Sequence, residues 1–181
     1  AATWTSNTGL ASYDNLLGNT DAGAATVTVS GTGASTMNGS GGLHLQGVQN
    51  FDVADTTGDA DTDLAVSMVL DGPGFEGGSA GGIVKLGSGT MRLTGANTFT
   101  AGTTVSAGTL AAANPAALGT GSATVASGAR LRLDPTAIIA NDITDLGTGA
   151  FLGSLDFAGG GLLRTSTAGG STQGILIAGS G

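Results

Sequence analysis

GGIVKLGSGTMRLTGANTFTAGTTVSAGTL, residues 81–110, is built of short apolar pairs cut apart by glycine. Met91 and Leu93 flank Arg92, so two side chains point one way and one points the other. Gly95 closes that run. A second starts at Phe99, Gly102 closes it, and Val105 sits in a third, ahead of Gly108 and Leu110. No apolar run keeps helical spacing, and no strand would exceed about six residues. Strands this short, turning at almost every glycine, predict a chain that coils on itself rather than one that zigzags.

The same habit extends outward. Apolar doublets occur at Val27/Val29, Leu43/Leu45, Val66/Met68, Met91/Leu93, Leu131/Leu133, Leu155/Phe157 and Ile175/Ile177. With the strand at 109–111 counted, they recur every 20 to 25 residues or so, which is short for a helical repeat and suits one lap of a β-solenoid. LHLQGVQNF (43–51) also aligns without gaps on MRLTGANTF (91–99), reading as an internal repeat of about two laps. A single lap cannot bury its apolar side chains. Laps stacked about 4.8 Å apart pair every backbone group with the lap above and below, and eight of them would make a rod of about 40 Å.

Residues 81–110 resemble the autotransporter-associated β-strand repeat, also called the passenger-associated transport repeat, whose pattern reads G-G-L-x-K-x-G-x-G-T-L-x-L-x-G-x-N-x-Y-x-G-G-T-T-V-x-x-G-T-L. Gly81, Gly82, Lys85, Gly87, Gly89, Thr90, Leu93, Gly95, Asn97, Gly102, Thr103, Thr104, Val105, Gly108, Thr109 and Leu110 match it. Ile83, Met91 and Phe99 depart but stay apolar, and Ala101 replaces a glycine by the next smallest residue. Residues 117–133 fit the usual continuation more loosely, so the match extends over 81–133. The resemblance implies an all-β fold, a parallel, right-handed β-helix of about eight short coils, in a secreted, surface-displayed chain. It says little about activity, because members of the family differ in what they do.

Composition sets the limits. The chain's 181 residues make one domain, 1–181. Glycine supplies 35 of them without a three-residue period, which excludes collagen. The 40% hydrophobic content and 10% charged content argue against disorder. A net charge of −8 disfavours nucleic acid and anionic membranes as partners. The absence of cysteine excludes disulfide staples and thiolate metal sites. No apolar run approaches the roughly 20 residues of a membrane helix. The start, AATWTS, reads as a mature terminus left after cleavage behind a small residue. Residues 1–19, with the only Trp (Trp4) and the only Tyr (Tyr13), read as an N-terminal cap or as a strand exchanged with a neighbour. Residues 111–118 read as a brief helical turn bulging from the wall, and the tail from Gly159 as an end without a polar cap.

Few residues suggest chemistry. Asp59, Asp61 and Asp63, in FDVADTTGDADTD, alternate like the first ligands of a calcium loop. Leu64 stands where that loop needs glycine and Leu70 where it needs a bidentate Glu, so a solvated turn is the favoured reading and calcium the other. Calcium is the one cofactor considered. His44, the only histidine, lies between Leu43 and Leu45 and turns outward by alternation. A Ser–His–Asp triad stays geometrically open, without a G-x-S-x-G elbow to support it. Arg92, Arg130 and Arg132 alternate with core leucines and point outward, where Asp134 could pair with them as an ordinary surface ion pair or line a polysaccharide-binding groove. Asn97 is expected to hydrogen-bond turn backbone.

These readings favour a non-catalytic extracellular or bacterial cell-surface protein, a solenoid that self-associates end to end, by strand-edge stacking, into a filament, sheath or stalk. Two others stay open: an adhesin or glycan-binding domain contacting surface glycans through its strands and the loop near Phe75, and a polysaccharide-cleaving β-helix.

Overall fold

The computed structural model describes residues 24–72 and 80–134, Asn141, and the strands at 3–5, 16–17, 143–145 and 154–157. The chain winds in laps. The first holds β1 (Thr3–Thr5), β2 (Leu16–Leu17) and β3 (Thr26–Val29), the second β4 (Ser35–Asn38), β5 (Leu43–Leu45) and β6 (Val48–Val53), and the third β7 (Leu64–Val66), β8 (Leu70–Asp71) and β9 (Gly82–Leu86). Each later lap has two strands: β10 (Thr90–Leu93) and β11 (Thr103–Val105), β12 (Thr109–Ala112) and β13 (Ala123–Val125), β14 (Arg130–Leu133) and β15 (Ile143–Asp145). Strand β16 (Ser154–Phe157) opens a seventh lap.

Equivalent strands of successive laps pair in parallel. Sheet 1 has seven strands, in the order β1-β4-β7-β10-β12-β14-β16. Sheet 2 has six, in the order β15-β13-β11-β9-β6-β3, and sheet 3 has three, β2-β5-β8. Every described pairing is parallel and between neighbouring laps, which is the arrangement of a parallel β-solenoid. The expected all-β coil is the observed fold. Strands of six laps and the first strand of a seventh fall within the described residues, against an expectation of about eight. Beyond β8 the third wall continues without strands. The amides of Thr98 and Thr120 donate to the carbonyls of Leu70 and Phe99 at 3.0 and 2.9 Å, so the laps stay bonded there.

The core is a set of columns. On sheet 1, Leu64, Met91, Leu110 and Leu131 stack in register, beside Val66, Leu93, Ala112 and Leu133. All eight are buried. Each such Leu or Met withdrawn from water contributes about 2 kcal/mol. Phe51 and Phe99, also fully buried, widen the interior near sheets 2 and 3.

Two expectations change. The doublets do not all mark one face: Val27/Val29 lies on sheet 2 and Leu43/Leu45 on sheet 3, while Met91/Leu93 and Leu131/Leu133 lie on sheet 1. The internal repeat of 43–51 on 91–99 therefore aligns residues from different walls; the partner of Met91 in the preceding lap is Leu64. Alternation shows that a residue faces inward but not which wall it lines. Residues 114–118 form hydrogen-bonded turns rather than a helix, with the Ala117 amide donating to the Asn114 carbonyl at 2.9 Å. Ala117 and Leu118 are buried, so this segment packs inward instead of bulging. In residues 1–19, β1 and β2 stack on β4 and β5 as part of the first lap. Residues 73–79, with Phe75, and the tail from Gly159, with Ile175/Ile177, lie outside the described residues. Among the described residues no helix is long and apolar enough to cross a membrane.

Candidate functional site: a polar seam inside the coil

A strand that faces an apolar interior has no use for charge, yet Asp63 and Lys85 are both fully buried. Asp63 sits at the corner where sheet 2 turns into sheet 1. Its Oδ1 accepts the backbone amides of Thr56 and Thr57 at 2.7 and 2.8 Å and their hydroxyls at 3.1 and 2.9 Å. Its Oδ2 accepts the amide of Thr90, in the next lap, at 2.7 Å. The backbone continues the pattern, with Ser35 N donating to Asp63 O at 2.7 Å and Asp63 N donating to Thr90 O at 2.9 Å. One residue thus bonds the laps below and above its own. Burial pushes its carboxyl up, but the amide bonds from Thr90, Thr57 and Thr56 and the Thr57 hydroxyl together outweigh that and hold it below the usual carboxylate value.

Lys85 stacks in register between Phe51 and Val105, in the apolar column of sheet 2. Its ammonium reaches the next corner and donates to the carbonyls of Leu86 (2.7 Å), Gly87 (2.9 Å) and Ala107 (3.3 Å). The third of these lies in the following lap. Burial lowers its pKa to about 8, while the charges of Asp52 and Asp63 pull the other way. Asn97, also buried, does the same work without charge. Its Oδ1 accepts the Leu70 amide at 2.8 Å and its Nδ2 donates to the Ala117 carbonyl at 2.6 Å, joining three laps. Asn97 therefore bonds backbone as expected, but across laps. Thr103 Oγ1 donates to Leu118 O at 3.1 Å, and Gln49 Oε1 accepts the Ala25 amide at 2.6 Å.

The surface candidates are arranged differently. Arg92 and Arg132 stand two strands apart on sheet 1, with Ala111 between them in register. Both donate through Nε to Asp134, Arg92 at 2.8 Å and Arg132 at 3.3 Å. The small side chain of Ala111 lets the two guanidiniums lean together over it, and Ala111 is fully covered although it points outward. Arg130 is exposed at the start of β14. His44 faces outward as expected and meets Asp71, its register neighbour, with Nδ1 and Oδ1 2.5 Å apart.

The structure does not gather Asp59, Asp61 and Asp63 as metal ligands. Asp63 turns inward and both its oxygens are taken by amides and hydroxyls. Asp55, Asp59 and Asp61 are exposed. Asp55 accepts the Gly58 amide and Asp59 the Asp61 amide, both at 2.7 Å, as a surface turn does. Among the described residues, no three His, Cys, Asp or Glu side chains stand close enough to hold a metal ion. Sequence reasoning missed Lys85 and Asp63 as interior groups. Ile83, two residues before Lys85 and on the same face of β9, was the only cue, and Val84 with Leu86 offered the opposite face more strongly.

Residues 83–112 match the family model described as the passenger-associated transport repeat. The resemblance read from the sequence is therefore borne out over that stretch. No curated protein and no solved structure matches the chain. The matched stretch contains Lys85, Thr90, Asn97 and Thr103, whose polar atoms bond one lap to another, and Gly87 and Gly108, which make room at the Lys85 corner.

Proposed function

We propose that the chain is a non-catalytic mechanical element of a secreted or surface-displayed passenger, a solenoid that joins end to end with copies of itself into a filament, sheath or stalk. The matched repeat supports a passenger-associated role. The observation that carries the mechanical reading is what the interior polar groups do. Asp63, Lys85 and Asn97 each have their bonds taken by backbone of their own and neighbouring laps, a use that stiffens the stack. A parallel ladder in constant register also accepts a further lap from any chain that presents the same row of amides and carbonyls. Such head-to-tail addition does not close and grows open fibres.

Electron microscopy of the purified chain across a concentration series tests this. Rods whose lengths are multiples of one unit, and which lengthen with concentration, are the expected result. A dispersed monomer at high concentration would overturn the filament.

A further inference from the structure

The corner between sheets 2 and 1 is a continuous ladder. Ser35 N donates to Asp63 O, Asp63 N to Thr90 O, Thr109 N to Gly89 O, and Arg130 N to Gly108 O. It makes one straight edge of the solenoid. At the start of β7 this edge carries the exposed carboxylates of Asp55, Asp59 and Asp61. Three strand spacings further along, roughly 14 Å, it carries exposed Arg130 at the start of β14. Arg92 and Arg132 stand beside it on the outer side of sheet 1. Among the described residues these three arginines are the only Lys or Arg that are not buried; the remaining one, Lys85, is interior. The edge is therefore negative at one level, and at the other it carries three arginines against Asp134, shared by two of them, and Asp156, in register with Arg132. Both groups are pre-set by hydrogen bonds: the loop by Asp55 to Gly58 and Asp59 to Asp61, and Arg92 and Arg132 by Asp134.

We infer that this edge is a lateral docking surface for a second copy of the chain, lying antiparallel, with the 55–61 loop of each copy against the Arg92/Arg130/Arg132 patch of the other. A two-fold axis at right angles to the solenoid satisfies both contacts at once, so the pairing is isologous and stops at two. The occupant is a second copy because the chain's own acidic loop carries the complementary charge along the same edge, and a two-fold axis brings each loop onto the other copy's patch. The contact lies on a side of the rod and leaves its two ends open, so it is independent of end-to-end growth. It rests on exposed charges, so it is weak in dilute solution and screened by salt. Where many copies are held at one surface, the effective concentration strengthens it.

Sedimentation velocity on the whole chain tests the inference in two steps. For the wild type, a concentration-dependent monomer–dimer equilibrium is expected in low salt and monomer, or unpaired rods, in high salt. For variants, R130E/R132E and D59K/D61K are each expected to lose the dimer when alone, because like charges then meet. An equimolar mixture restores both contacts and regains it. Circular dichroism checks that each variant keeps its strands. If one variant fails to fold, the salt series of the wild type still decides. A wild type that is monomeric in low salt, a dimer insensitive to salt, or folded variants that do not recover on mixing would overturn the pairing. So would a patch that retains an acidic polysaccharide on a column while the chain stays monomeric in low salt. Loss of lateral dimers with rods still lengthening on grids would remove this inference and leave the filament reading standing.

Discussion

Asp63 holds five hydrogen bonds on two oxygens, and all five donors point inward at fixed backbone positions or on the short side chains of Thr56 and Thr57. Asp63→Asn keeps the shape but turns one acceptor into an NH2 group facing donors. The chain should lose about 3 kcal/mol in urea unfolding at neutral pH, the worth of bonds to a buried charge. The sign of its pH dependence follows from the lowered pKa. The folded carboxyl binds its proton less readily than the unfolded one, so its contribution is complete above about pH 4 and is lost as pH falls through the folded value. The Asn variant should show a flatter acid limb, measured as unfolding free energy against pH. Lys85 runs the opposite way. Its folded pKa of about 8 lies below the ordinary 10.5, so between these values the unfolded chain holds more protons and stability rises with pH. Relative to Lys85→Met, the wild type should gain up to about 3 kcal/mol across that window. A constant difference between the two would show that Lys85 does not titrate there. Neither residue was legible as interior. Hydrophobic patterning in IVKL offers Val84 and Leu86 as the inward pair, whereas Ile83 and Lys85 face in. Asp63 sits in a corner, where strand alternation gives no guidance.

At the scale of strands and corners, the sequence was most readable where residues of one kind repeat on one wall. Met91/Leu93 and Leu131/Leu133 line the same columns, as their alternation implied. Leu43/Leu45 looked equivalent and lines another wall, because a doublet records facing but not the number of corners already turned. Glycine marks those corners, for two different physical reasons. Gly108 has φ of 62°, and a Cβ there would lie 2.5 Å from the Gly87 carbonyl oxygen and 2.6 Å from that of Gly89. Both are backbone atoms of the adjoining lap and cannot move aside. Gly128 has φ of 77°, but a Cβ there meets nothing within 4 Å. Gly128→Ala should therefore show only the conformational strain of a left-handed position, about 1 kcal/mol. Gly108→Ala adds a clash between laps and should cost well over about 2 kcal/mol or prevent folding. Denaturant unfolding of the pair measures the difference. Equal losses would mean that the laps are not in close contact at the Lys85 corner.

For the whole molecule, the decisive property is that each lap's strands pair only with those of its neighbours; the Arg92–Asp134 bond, which skips a lap, is a side-chain contact on the outside. Stability in such a stack is close to a sum of lap terms and interface terms, and damage spreads by contact rather than globally. The described interior staples are concentrated in the middle laps: Asp63 bonds the second to fourth, Lys85 the third to the fourth through Ala107, and Asn97 the third to fifth. The tip at Gly31, where an added Cβ would meet nothing, is the loose counterpart, whereas Gly33 next to it is tied to Thr56. Native-state hydrogen exchange should follow this gradient. The amides of β7, β10, β11 and β12 should exchange last, and that of Gly31 early. Asp63→Asn then becomes a local probe. Ser35 and Thr90 bond directly to Asp63 and should lose protection in the variant. The amide of Ala126, which donates to Val105, has no bond to that corner and should keep its protection. Equal loss at Ser35, Thr90 and Ala126 would show the chain opening as one cooperative body. In that case the seam would contribute to total stability but would not set which laps hold when the rod is strained.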